Sequence, residues 1–128
     1  MLVLIIYGKT IRKKITLYRL RKSHEKFLEN YKALVQNIQG EKAKTRAEEA
    51  LNYWKRYMEK MEKIPYTRLT TKEVALYTAD SNFINTLKNV DRNIYGKYNQ
   101  EEIKRSLNNL EGVADNKYND KVEEVNNK

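Results

Sequence analysis

At 128 residues with no cysteine, one histidine and a net charge of +9, the chain is one domain's worth of sequence, and disulfides, thiolate metal sites and cysteine nucleophiles are excluded. One proline, four glycines and a 34% charged fraction leave too little turn punctuation for a β-rich fold and predict an all-α protein. The charge is concentrated at the front: residues 1–40 carry nine Lys/Arg against two Glu, whereas residues 41–128 carry 17 basic against 15 acidic side chains.

The chain opens MLVLIIYGKTIRKK. A spanning helix needs about 20 apolar residues, and Leu2 to Tyr7 supplies only a fraction of one. The order of apolar run, Tyr7, then Lys9, Arg12, Lys13, Lys14, Arg19, Arg21 and Lys22 without an acid among them is nevertheless that of the cytoplasmic exit of a membrane helix. The expectation is that residues 1–24 are the end of a membrane helix and its basic juxtamembrane segment, within a reading frame that continues upstream. Residues 25–128 are then a cytoplasmic helical domain. Each basic residue at an anionic surface adds up to about 1 kcal/mol of attraction.

From Ile11 an apolar pattern runs at three- and four-residue steps through Ile15 and Tyr18, then Phe27, Tyr31, Leu34 and Ile38, and ends at Gly40, predicting one long basic helix. Ala43, Ala47, Ala50, Leu51, Trp54, Tyr57, Met58 and Met61 form a second stripe, stopped before Pro65. The short connection predicts an antiparallel hairpin. Thr70 and Glu73 have capping-box spacing ahead of a brief third helix over 71–77. Asp80 or Ser81 caps a fourth helix with Phe83, Ile84, Leu87, Val90, Ile94 and Tyr95 inward, closed by Gly96. Asn99 with Glu102 starts a fifth, whose stripe is Ile103, Leu107, Leu110, Ala114, Tyr118, Val122 and Val125, and the final residues are expected to fray. The sum is a small bundle of about five helices.

The runs EALNYWKRYMEKMEKIPYTRLTTKEVA and DSNFINTLKNVDRNIYG resemble the cytoplasmic tail domain of small bacterial membrane proteins encoded with MoxR-type ATPases and von Willebrand A-domain proteins, the Bat aerotolerance and Mxa-like clusters. Trp54, Tyr57, Pro65, Leu69, Thr70, Thr71, Glu73, Asp91, Ile94, Tyr95 and Gly96 occupy the positions of that pattern. The resemblance covers about two-thirds of the chain. It implies partnership with von Willebrand A-domain membrane proteins and a MoxR-type ATPase at the cytoplasmic face of the inner membrane, and it implies no catalytic residues.

No catalytic, cofactor or metal constellation stands out. Trp54 reads as core, and Tyr53, one position off that stripe, as an exposed aromatic. Asp91, beside Phe83, Leu87 and Ile94, reads as a carboxylate that needs a hydrogen bond, from Tyr57, Tyr66 or a backbone amide. His24, between Ser23 and Glu25, reads as a solvated helix residue without a role. Function is therefore expected to be a non-enzymatic, membrane-tethered interaction module. The alternative is a soluble basic protein that grips nucleic acid through Lys9 to Lys22.

Overall fold

The longest element, helix α1, runs without a break over Leu2–Gln36. It belongs to a computed structural model that describes residues 2–96 and 99–127, with side chains from residue 8 onward. A short 3-10 turn at Gly40–Lys42 leads into α2, Ala43–Glu62, and another at Tyr66–Arg68 into α3, Thr71–Val74; α4 is Ser81–Tyr95 and α5 Gln100–Asn126. The all-α expectation holds, and no strand occurs among the described residues.

Polar contacts between helices set their directions. Tyr53 of α2 accepts a hydrogen bond from Asn30 of α1, and Arg46 reaches the carbonyl of Asn37, so α1 and α2 are the predicted antiparallel hairpin. Tyr31 donates to the Leu107 carbonyl and, progressively nearer the start of α1, His24 meets Asp115 and Lys13 reaches the Asn126 carbonyl, which makes α5 antiparallel to α1 as well. Lys117 on Asp80 and Asn93 on the Glu102 carbonyl turn α4 against α5. The helices thus alternate up and down, with α2 and α5 as a central pair, α1 packed on both from one side and α4 from the other.

Trp54 sits in the middle of that packing, fully buried, with its ring against Tyr66 and Phe83 and its indole N–H donating to the Leu110 carbonyl at 2.9 Å. Tyr31 and Trp54 therefore tie α1 and α2 to carbonyls one turn apart on α5. Burying their large rings while satisfying the single polar hydrogen of each is what lets them lie inside.

Helix ends follow their signals in most places. Thr70 accepts from the Glu73 amide and Glu73 reaches back to the Thr70 amide, the predicted capping box. Asp80 caps α4 through the Phe83 amide and Asn99 caps α5 through the Glu102 amide. Gly40 has φ of 74°, the left-handed conformation that glycine adopts at little cost. Lys63 takes φ of 62° at the end of α2, a position at which no glycine advertised the turn.

Three expectations change. Helix α3 ends at Val74 rather than near Tyr77. Helix α5 stays helical through Asn126, with Val125 buried and Lys13 of α1 donating to the Asn126 carbonyl, so of the last three residues expected to fray Asn126 is held, Asn127 lies past the helix end and Lys128 lies outside the described residues. Most important, the early apolar stripe does not continue into the core. On α1 the inward row is Lys13, Leu17, Leu20, His24, Phe27 and Tyr31, partly or fully buried, whereas Ile11, Ile15 and Tyr18 are 54%, 44% and 54% exposed. At 100° per residue the two rows lie on opposite sides of the helix.

Candidate functional site

The basic segment is an outward helix surface. Because α5 ends beside Lys13, the first part of α1, about 16 Å over residues 2–12, runs on past the end of α5. Lys9, Arg12, Lys14, Arg19, Arg21 and Lys22 are exposed. Arg21 and Lys22 each lie 5.7 Å from the ring centre of Tyr18, and Lys22 also pairs loosely with Glu25 at 3.7 Å, an exposed contact of little energetic weight. Lys13 differs: it is half-buried and turned to the C-terminal carbonyls of α5, where a cation is favoured. The side chain of Tyr7 lies outside the described residues.

The outer face is therefore Ile11, Ile15 and Tyr18 bordered by Lys14 and Arg19, a shallow apolar strip with cationic edges. Sequence periodicity located these residues as part of one helical stripe with Phe27, Tyr31, Leu34 and Ile38, and the structure separates them from it.

The residues of the family-like pattern do not converge on one place. Trp54 and Ile94 are core, and Leu69 packs at its margin. Thr70 and Glu73 cap α3, and the next residue, Thr71, donates its hydroxyl to Asp91 on α4. That hydroxyl, not Tyr57, Tyr66 or a backbone amide, is what Asp91 found. Pro65 is exposed between α2 and the following 3-10 turn. Gly96 ends α4, and Tyr95 is exposed with the Lys44 ammonium 5.2 Å from its ring centre. Most of these positions hold helices together. Tyr53, expected to be exposed, is half-buried and stacks on Phe27 at 5.8 Å.

His24 is the largest correction. It is 7% exposed and sits where α1, α2 and α5 meet. Its Nδ1 is 2.7 Å from the Tyr57 hydroxyl, its Nε2 is 2.7 Å from Asp115, and its ring stacks on Tyr118 at 4.1 Å. A carboxylate only accepts, so the hydrogen between His24 and Asp115 belongs to Nε2; in the neutral ring Nδ1 then accepts from Tyr57. Tyr57 has a second outlet in the Met61 sulfur at 3.6 Å. The order Tyr–His–Asp is that of a proton relay, yet burial, with the charges of Tyr118 and Asp115, holds the Tyr57 phenol well above its usual range. A nucleophile needs the opposite shift.

One signal for His24 was present in the sequence: it falls between Leu20 and Phe27 at the four- and three-residue steps of the inward row. Its partners, 33 and 91 residues away, left no local trace. Comparison of the chain with protein-family models, curated proteins and solved structures finds no match.

Proposed function

We propose that the protein is a non-enzymatic helical interaction module held on an anionic membrane surface, at the cytoplasmic face of the bacterial inner membrane, by the first half of α1. Following the resemblance, its partners are membrane proteins with von Willebrand A domains and a MoxR-type ATPase. The observation that carries the tether is the outward strip of Ile11, Ile15 and Tyr18 set among exposed cations and facing away from the core. Isoleucines on that side contribute nothing to the bundle, but lying in the headgroup layer they would bury apolar surface while the flanking basic residues meet lipid phosphates. A second copy packed on the same strip would set like charges against each other. Nucleic acid would use the cations and leave the isoleucines without a purpose. No helix among the described residues is long and apolar enough to cross a membrane.

The test is co-sedimentation with vesicles of anionic or neutral lipid, using the full chain, an I11S/I15S variant and a K9Q/R12Q/K14Q variant. Sedimentation with anionic vesicles only, lost in both variants, is the expected result. Sedimentation that survives I11S/I15S, or a wild-type chain that stays in solution while binding DNA in a salt-sensitive way, would overturn the membrane reading.

A further inference from the structure

A second surface lies around the side of α1, between it and α2. Two adjoining cavities of 260 Å³ and 470 Å³ share Ser23, Tyr57 and Lys60 and run as one groove along α1 from Thr16 to Asn30, about 21 Å of helix. Its floor is apolar at one end, with Leu20 and Met61, and mixed at the other, where Phe27, Tyr53 and Tyr57 lie beside Ser23 and Asn30. Its rim is cationic: Arg19 and Lys26 on α1, Arg56 and Lys60 on α2, all exposed. None of the four forms an ion pair within the described residues. The one carboxylate on the groove, Glu59, is already engaged by the amide and hydroxyl of Thr67, at 3.2 and 2.7 Å.

We propose that this groove docks an acidic, apolar-anchored segment of a partner protein. The inference rests on the interaction-module reading above and supplies the chemistry of the partner. Four unopposed positive charges around a partly apolar floor are complementary to carboxylates flanking buried aliphatic or aromatic side chains, the pattern of a helix laid in a groove. A stretch of two to three turns matches the 12 Å or so over which Tyr53 and Met61 of α2 line it. The aromatic floor offers nucleotide bases little at Phe27, which is 2% exposed and stacks nearly parallel on both Tyr53 and Tyr57, with interplanar angles of 7° and 10°. A base needs a free face on which to stack. By helical register the centre of the groove lies to one side of the Ile11–Tyr18 strip, and the two surfaces meet at Arg19.

The probe is a labelled 14-residue helical peptide with leucines at three- and four-residue steps and glutamates elsewhere, beside a counterpart with lysines in place of glutamates. Both are titrated into the full chain and followed by anisotropy and amide chemical shifts. The glutamate peptide is expected to bind at least about tenfold more tightly than the lysine peptide, to shift the amides of Ser23, Asn30, Arg56 and Lys60, and to weaken by about tenfold or more against an R56E/K60E variant. K9Q/R12Q/K14Q should stay within about threefold at physiological salt, since those charges lie beyond a screening length from Arg56. No binding, shifts confined to residues ahead of Thr16, equal affinity for R56E/K60E, or a single-stranded oligonucleotide that displaces the peptide would each overturn the proposal. Selective peptide binding by a wild-type chain that sediments with no vesicle would overturn the tether and support this groove.

Discussion

His24 is held by three elements at once, and the consequence is testable on its smallest part. Replacing Tyr57 with phenylalanine keeps the ring that stacks on Phe27 at 4.1 Å and removes only the hydroxyl 2.7 Å from Nδ1. A buried polar atom left without its partner costs about 1–3 kcal/mol, so Tyr57→Phe should lower unfolding free energy by that much in urea titrations, with an unchanged slope. A loss below about 0.5 kcal/mol would show that the contact carries no weight. Trp54 was legible as core because aliphatic and Met neighbours surround it at helical steps. His24 was not, because a polar side chain is called to the interior only by partners, and Asp115 lies 91 residues away.

Among the elements, α1 shows where periodicity misleads. Ile11, Ile15 and Tyr18 keep helical spacing, as do Phe27, Tyr31 and Leu34, but the nine residues from Tyr18 to Phe27 amount to half a turn beyond whole turns, which places the two sets back to back. Counting the gap as well as the steps would have separated an inner row from an outer one, and the outer one is the candidate membrane face. Helix α3 makes the opposite point, since its start was fully legible. Four residues long, it has almost no propagation to offset nucleation and depends on its box. Thr70→Ala should cost about 1 kcal/mol, seen as a lower melting temperature. An unchanged melting temperature would show that the Thr71–Asp91 contact alone holds the segment.

For the whole molecule, the ten tyrosines set the alkaline limit. Burial raises the phenols of Tyr31, Tyr57 and Tyr66 above their ordinary 10, helped by the neighbouring charges of Glu111, of Tyr118 and Asp115, and of Glu62 respectively. The folded chain keeps these protons after the unfolded chain has released them. Their contribution is therefore intact below pH 10 and is lost as pH rises beyond it. Melting followed by circular dichroism from pH 8 upward should be level to about pH 10 and then fall, with the phenolate absorbance of the three buried tyrosines arriving together with unfolding. Ten phenols titrating near pH 10 in a chain that stays folded would contradict the buried placement. At this scale the helix count and the hairpin were readable from stripes and caps. The α1–α2 groove was not, because it is assembled from side chains on two helices whose facing edges only packing defines.

The unbroken run of α1 from Leu2 to Gln36 makes the helix a shaft as well as a support. Its leading end and the row that grips α2 and α5 share one hydrogen-bonded cylinder, with no glycine or proline between Lys9 and Gln36 to act as a swivel. Whatever seats the leading end therefore fixes the heading of the bundle. One residue inserted after Gly8 would turn the Ile11–Tyr18 strip and the α1–α2 groove together by about 100°, and advance both by about 1.5 Å, relative to the residues ahead of it.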